Sequence, residues 1–131
     1  MSRPFIDSNV VLYLLSADAA KADCAEAVIA AGGIISVQVL NEVTAVCRRK
    51  LKMPWQEIEA VLNAVKSACE VVPLTIASHE AALEIAKRYG LSFYDANIYA
   101  AANLAGAKVL FSEDMQDGMN IGGTVVRNPF R

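Results

Sequence analysis

The sequence predicts an α/β fold with a mostly parallel central sheet of about five strands. Short apolar stretches alternate with segments whose apolar residues recur at helical spacing, which is typical of a sheet with helices on both faces. The length of 131 residues is that of a single domain, expected to cover residues 1–131. With 55% hydrophobic and 20% charged residues, the chain is expected to be globular rather than disordered.

The first strand is predicted at Phe5-Ile6, where two apolar residues lead into the carboxylate of Asp7. The polar pair Ser8-Asn9 and a second apolar run follow, so a helix is expected to open directly after the strand. In open α/β sheets, ligands bind in the crevice beyond the carboxyl ends of the strands. Asp7 therefore stands where a functional group is expected.

The remaining elements follow from apolar spacing and from helix signals such as Gly90, Gly106 and the capping Ser36. Pro73 places the third strand at an edge or at a strand end. The helical pair after the second strand is longer than a crossover needs, which suggests an αα-hairpin standing away from the sheet as a partner or substrate surface. The expected helices cover 9–16, 17–31, 37–52, 54–67, 76–89 and 92–105, and the further strands cover 33–36, 70–74, 108–112 and 124–127.

Bulk properties exclude several classes of protein. The net charge of −2 gives no general signal for nucleic-acid binding, although a local basic patch or a metal ion can still serve an anionic substrate. No apolar run is long enough for a membrane span and no signal-peptide pattern is present. The cysteines are odd in number and far apart, which makes a disulfide framework unexpected and favours a reducing cytoplasm. Cys24, Cys47 and Cys69 lack the spacing of a zinc site and are expected to be apolar fillers on helices.

Four acids fall at comparable positions of the predicted sheet. Asp7 ends the first strand, Glu42 lies early in the helix after the second, Asp95 opens a later helix, and Asp114 follows the fourth strand. Each has a structural explanation as well. Asp7 and Asp114 suit caps or turns, Asp95 completes a Ser-x-x-Asp capping box, and Glu42 has Arg49 two turns away as an ion-pair partner.

The coincidence of the four acids favours a metal site. Clustered carboxylates repel by about 1–4 kcal/mol per pair at a few ångströms, which a cation at the centre relieves. All-oxygen ligands select Mg²⁺ or Mn²⁺ over Zn²⁺. Such ions bind phosphates and support hydrolysis of phosphodiesters by activating water. We therefore interpret the four acids as a metal pocket, with Asp7 and Asp95 as direct ligands and Glu42 and Asp114 acting through water or on a second ion.

Competing catalytic patterns are missing from the sequence. His79 is the single histidine and is expected to be a solvated surface residue, and no phosphate-binding glycine motif occurs. A run of basic residues closes the Glu42 helix, namely Arg48, Arg49, Lys50 and Lys52. The structural explanation is a favourable charge at a helix C-terminus. The functional one is a patch that tracks the phosphates of RNA toward the acids.

Five short motifs, in order along nearly the whole chain, resemble those of the PIN-domain ribonucleases and, among these, the VapC-type toxins of toxin–antitoxin pairs. They are Phe5-Ile-Asp-Ser-Asn9, Ser36 followed by Asn41-Glu42, Leu91-Ser-Phe-Tyr-Asp-Ala96, Leu110-Phe-Ser-Glu-Asp114 and Asn128-Pro-Phe130. The family often has Thr where this chain has Ser8 and Ser112, a change that keeps the hydroxyl.

The resemblance implies an α/β/α sandwich and an Mg²⁺- or Mn²⁺-dependent endoribonuclease. It also implies a homodimer and a cognate antitoxin that blocks the site, to which we expect the antitoxin to offer a basic side chain. By motif position, Asp7, Glu42, Asp95 and Asp114 match the metal-binding acids, and Asn9 and Ser112 match supporting polar positions. Asp117 is a possible further acid, although Asp117-Gly118 is equally typical of a turn.

Three alternatives remain at this point. A response-regulator receiver also has acids at strand ends, but it needs an acidic pair near strand one and a lone Asp ending strand three. A haloacid-dehalogenase-like phosphatase needs Asp-x-Asp where this chain has Asp7-Ser8-Asn9. A PIN-like fold that binds a partner without cleaving is disfavoured by the intact set of acids.

Overall fold

The computed structural model describes residues 2–131. Its six strands are β1 (Phe5–Ile6), β2 (Gly33–Ser36), β3 (Cys69–Val72), β4 (Val109–Phe111), β5 (Asn120–Ile121) and β6 (Thr124–Arg127). Its helices are α1 (Ser8–Leu12), continued by a 3-10 turn (Tyr13–Leu15), α2 (Ala19–Ala30), α3 (Val37–Arg49), α4 (Trp55–Ala68), α5 (Ile76–Tyr89) and α6 (Phe93–Leu104).

The strands form one sheet in the order β3-β2-β1-β4-β6-β5, and only β5 runs antiparallel to its neighbour. Strand β1 is central, with Phe5 aligned to Ile34 on one side and to Leu110 on the other. The parallel order brings the ends of β1 and β4 together, where the N–H of Asp7 donates to the carbonyl of Phe111 at 3.0 Å. The fold is thus the expected α/β/α arrangement, and it places Asp7 at the middle of the carboxyl edge.

The core lies on both sides of β1. Its strand residues Phe5 and Ile6 are fully buried, because parallel strands covered by helices on both faces expose neither side. Helix α6 is buried through most of its length, from Ala96 to Ala102, and its small alanines allow close packing of α5. Asp95, in the first turn of α6, consequently lies directly before the buried part of this helix.

Several sequence predictions need correction. The sheet has a sixth strand, β5, which pairs with β6 in a hairpin. Helix α3 ends at Arg49 rather than at residue 52, so Leu51 lies in the turn that follows and is half exposed. Helix α5 buries Ser78 and Ala82, and its half-buried Ala81 and Ile85 pack beside them.

The helical pair after β2 does not stand away from the fold. Helix α4 buries Ile58 and Val65 and packs against both α2 and α3. The exposed part is the turn between α3 and α4. Of the three free cysteines, Cys69 lies in strand β3 and not on a helix, although it is buried as expected.

Candidate active site at the carboxyl edge of the sheet

Asp7 lies where strand β1 ends and helix α1 begins. One carboxylate oxygen accepts the N–H of Ser8 at 2.7 Å, so Asp7 is the N-cap of α1. The other oxygen accepts the hydroxyl of Ser112 at 2.8 Å and the side-chain amide of Asn9 at 3.2 Å. Asp7 therefore caps a helix and is also held firmly by polar groups at the ends of two neighbouring strands.

Burial raises the pKa of Asp7 from 3.8 to about 6, against the opposing effect of the Ser112 hydroxyl bond. The charges of Glu42 and Asp95 raise this pKa further. Only 4% of the residue is exposed. The carboxylate is therefore ionised at neutral pH in a place that disfavours its charge.

Glu42 lies in the second turn of α3, and one of its carboxylate oxygens is buried without a hydrogen-bond partner in the described structure. Burial raises the pKa of Glu42, the Ser8 and Gln38 side chains oppose that effect, and Asp95 adds to it. The expected structural explanation is wrong, because within residues 2–131 no ion pair joins Glu42 to Arg49. A buried oxygen without a partner is destabilising unless a cation or water meets it.

Asp95 lies in the first turn of α6, where its N–H donates to the hydroxyl of the N-cap residue Ser92 at 3.1 Å. The cap is thus Ser92, and the half-buried Asp95 carboxylate also hydrogen-bonds to the Ser92 side chain. Burial raises the pKa of Asp95, the charge of Asp114 raises it further, and the bond to Ser92 acts to lower it. Asp114 itself is exposed in the loop after β4. The four acids are therefore coupled electrostatically, Asp7 with Glu42 and Asp95, and Asp95 with Asp114.

The donor set fits a hard divalent cation. All four acids offer carboxylate oxygens as ligand atoms, and the buried oxygen of Glu42 lacks a hydrogen-bond partner in the described structure. Within residues 2–131, no group of three or more acidic, histidine or cysteine side chains is arranged to hold an ion directly. Magnesium keeps several waters and takes only one or two protein carboxylates, so the arrangement suits an ion bound largely through water.

Asn9 and Ser112 connect the site to the rest of the fold. The Asn9 amide nitrogen lies 3.2 Å from the Ser112 oxygen, and its amide oxygen accepts the N–H of Glu113 at 3.1 Å. Both side chains hydrogen-bond to Asp7, and their supporting role at a metal site stays a prediction. Asp117 lies elsewhere. Its carboxylate is exposed and accepts the N–H of Asn128 at 2.8 Å, which favours its interpretation as a turn residue.

A cluster beside the acids was missed by sequence reasoning. The Tyr13 hydroxyl bonds to Glu113, and the Lys21 ammonium lies 3.0 Å from the other Glu113 oxygen and 3.2 Å from the Tyr13 oxygen. The bonds from Tyr13 and Lys21 lower the pKa of Glu113. Because Tyr13 and Glu113 are about a hundred positions apart, no local pattern indicates their contact.

A cavity of about 310 Å³ adjoins the acids on the side of helix α1. Asn9 and Asp114 form its polar wall, and Leu12 and Val46 contribute to its apolar side. Leu51, from the turn after α3, also lines the cavity. The predicted basic residues Arg48, Arg49, Lys50 and Lys52 all lie exposed around that turn.

His79 is exposed on α5, where its ring meets the edge of Phe93 with 5.5 Å between ring centroids. It is therefore the surface residue that the sequence predicts. None of the described helices is long and apolar enough to cross a bilayer.

The family model of the PIN domain matches residues 5–116, a range that includes all four acids. The match spans most of the chain, which therefore belongs to the PIN-domain family. This membership decides against the receiver and phosphatase alternatives. No curated protein matches the chain.

Three solved structures share the fold. A toxin–antitoxin complex from Klebsiella pneumoniae has a TM-score of 0.73 at 21% identity, covering 96% of this chain and 97% of that one. VapC20 of Mycobacterium tuberculosis, a toxin that cleaves the sarcin–ricin loop, has a TM-score of 0.69 at 21% identity, with coverage of 84% and 88%. VapBC2 of Rickettsia felis, bound to a DNA fragment from its promoter, has a TM-score of 0.68 at 17% identity, with coverage of 95% and 96%.

Proposed function

We propose that this chain is a metal-dependent endoribonuclease and the toxin of a toxin–antitoxin pair. The observation that carries the proposal is the coupled set of four acids at one sheet edge, in which a buried Glu42 oxygen lacks a partner. A fold that merely capped its helices has no reason to bury a carboxylate in this way. The likeness to VapC20, which cleaves an RNA loop, supports RNA as the substrate.

Asp7 and Asp95 would hold Mg²⁺ or Mn²⁺ directly and Glu42 and Asp114 would hold it through water, and such an ion would supply an activated water and neutralise phosphate charge. The protein orients this site. Asn9 and Ser112 fix the Asp7 carboxylate through hydrogen bonds of 3.2 and 2.8 Å. With three acids of raised pKa in one place, the site takes up protons readily, so we expect RNA cleavage to decline as the pH falls through about 6.

The basic run at the end of α3 supports binding of an anionic strand. Within the described part of the chain, none of its four members takes part in an ion pair. We assign to Arg48, Arg49, Lys50 and Lys52 the contacts to RNA phosphates outside the acidic site.

Two partners belong to the proposal. An antitoxin is supported by the fold shared with two toxin–antitoxin complexes, and we expect it to place a basic side chain among the acids. A homodimer is supported by exposed apolar side chains on α5 and α6, where Ile76 is 78% and Leu104 is 59% exposed. Light scattering of the purified chain tests the dimer, and a monomer at micromolar concentration contradicts it.

Incubation of the protein with mixed cellular RNA, with Mg²⁺, Mn²⁺ or EDTA, followed by end mapping, tests the activity. We expect discrete cuts that need the metal, and a loss of at least about a hundredfold in Asp7→Asn and Asp95→Asn. Asp23→Asn, at an exposed acid of α2, is the matched control and should cleave like the wild type. Metal binding without turnover supports instead a PIN domain that only binds a partner.

A further inference from the structure

The turn between α3 and α4 carries an exposed aromatic ring beside the basic run. Trp55 is the first residue of α4 and the only tryptophan of the chain, and it is 53% exposed although its ring is large and apolar. The Arg48 guanidinium lies over its ring, 4.7 Å from the centroid. An exposed tryptophan that meets a guanidinium is a favourable surface for flat ligands, since both groups stack on aromatic rings.

The pair is held in place by the turn. The Arg48 guanidinium also donates a hydrogen bond to the carbonyl of Met53 at 3.1 Å. The Met53 N–H donates to the carbonyl of Cys47 at 3.0 Å. Lys52 adopts a left-handed conformation, with φ of 52°, which allows the chain to reverse here. The ring and the guanidinium are therefore positioned before any ligand arrives.

The charge around the ring indicates the kind of ligand. Arg48, Arg49, Lys50 and Lys52 are exposed within five residues, and the acids that follow, Glu57 and Glu59, lie on α4. Positive charge combined with an aromatic surface is the combination that binds single-stranded nucleic acid, because phosphates meet the charges and bases stack on the ring. Duplex RNA keeps its bases stacked inside and offers no face to such a ring.

The turn is continuous with the acidic site. Leu51, three residues after Arg48, lines the cavity of about 310 Å³ that Asn9 and Asp114 also line. Asp114 is one of the four acids, and Trp55 begins α4 four residues after Leu51, so a strand bound along this cavity runs between the acids and the turn that carries Trp55. We propose that Arg48 and Trp55 form a stacking platform for an unpaired base of single-stranded RNA, next to the nucleotides at the acids.

This inference rests on the proposed function for its substrate, so its test measures binding without cleavage. The full-length protein is titrated in EDTA with a labelled single-stranded 12-mer RNA, and binding is followed by anisotropy. Fluorescence of Trp55, the only tryptophan, is recorded in parallel. We expect the single strand to quench this fluorescence, and expect the blunt duplex of the same sequence and inorganic polyphosphate to quench it much less.

Variants separate stacking from charge and from folding. Trp55→Ala and Trp55→Leu should weaken binding by about tenfold, while Trp55→Phe, which keeps a flat ring, retains most of the affinity. Leucine preserves an apolar side chain at the start of α4, so a loss of RNA affinity in Trp55→Leu is caused by the loss of stacking. The dependence of affinity on salt should stay unchanged in Trp55→Leu, whereas Lys50→Gln lowers that slope by about 0.7.

The chain offers a matched control pair. Arg88 lies over the ring of Tyr89, 5.4 Å from its centroid, on the separate cavity that includes Gly122. Because this pair has the same arginine-over-ring arrangement but lies on a different cavity, Tyr89→Ala should bind the 12-mer with the same affinity as the wild type. If the wild type and Trp55→Leu bind the 12-mer with equal affinity, the stacking platform is refuted. It is also refuted if polyglutamate quenches the Trp55 fluorescence more strongly than RNA does, because the turn is then a site for an acidic protein segment. Quenching by RNA in a protein that never cleaves it retains the platform and rejects the nuclease proposal.

Discussion

At the scale of single residues, the site is defined by carboxylates in surroundings that disfavour their charge. Asp7 is almost fully buried, and Glu42 buries an oxygen that lacks a partner in the described structure. Such groups destabilise a protein that has no cation to meet them. The acids are therefore expected to lower the stability of the metal-free protein, a pattern typical of functional sites.

The raised pKa of Asp7 predicts how this effect depends on pH. Below about pH 3 the group is protonated in both the folded and the unfolded chain, so it has no effect on stability. Between the unfolded value of 3.8 and the folded value of about 6, only the unfolded chain loses its proton, and the folded state loses stability as the pH rises. The full loss, about 3 kcal/mol for a shift of this size, is present at pH 7.

Urea unfolding in EDTA at pH 4 to 7 measures this effect. The free energy of unfolding of Asp7→Asn, relative to the wild type, should rise by about 2.4 kcal/mol from pH 4 to pH 7. The lost bonds to Ser8 and Ser112 add an offset that does not change with pH. Asp23→Asn serves as the control and should run parallel to the wild type. A constant difference between Asp7→Asn and wild type contradicts the raised pKa.

The residues that were found from sequence and those that were missed differ in one physical respect. Asp7 and Asp95 stand beside strand ends and helix starts, so local pattern places them at the sheet edge. The contact of Tyr13 and Lys21 with Glu113 depends on how α1, α2 and the loop after β4 pack, which no spacing along the chain encodes. The orphaned oxygen of Glu42 likewise appears only once its neighbours are in place.

At the scale of elements, strand β5 was the main omission. It has only two residues, Asn120 and Ile121, too few for a visible alternation of apolar and polar positions. Tertiary contacts define the hairpin instead. The buried hydroxyl of Tyr99 on α6 lies 2.8 Å from the carbonyl of Met119 and 2.6 Å from that of Thr124. The same hairpin matters to the site, because strand β6 accepts the Ser112 N–H through the Arg127 carbonyl at 3.0 Å.

Removing that hydroxyl should loosen the hairpin without touching the acids. We expect Tyr99→Phe to lower the free energy of unfolding by about 1–2 kcal/mol, since buried carbonyls lose a donor. Hydrogen exchange should quicken at the β6 amides and at Ser112. Tyr94→Phe is the matched control, because Tyr94 is 66% exposed, and it should unfold like the wild type. Equal stability of the two variants speaks against a structural role for the Tyr99 hydroxyl.

At the scale of the whole molecule, the four acids come from four separate parts of the chain: the end of β1, helix α3, helix α6 and the loop after β4. Their coupling exists only when the sheet has formed and α3 and α6 have packed on it. A cation that binds this set binds the folded chain and not the unfolded one. Metal binding is therefore coupled to the stability of the entire fold.

Thermal unfolding tests this coupling independently of activity. At a concentration one hundred times its dissociation constant, Mg²⁺ or Mn²⁺ adds about 2.7 kcal/mol to the free energy of unfolding. For a chain of this length, that corresponds to a rise in Tm of roughly 10 °C. The rise should shrink as the pH falls through about 6, because protons compete with the metal for Asp7. It should be lost in the double variant Asp7→Asn/Asp95→Asn and kept in Asp23→Asn at equal ionic strength. A double variant that still gains the same Tm places the metal elsewhere and refutes the assignment of these acids as its ligands.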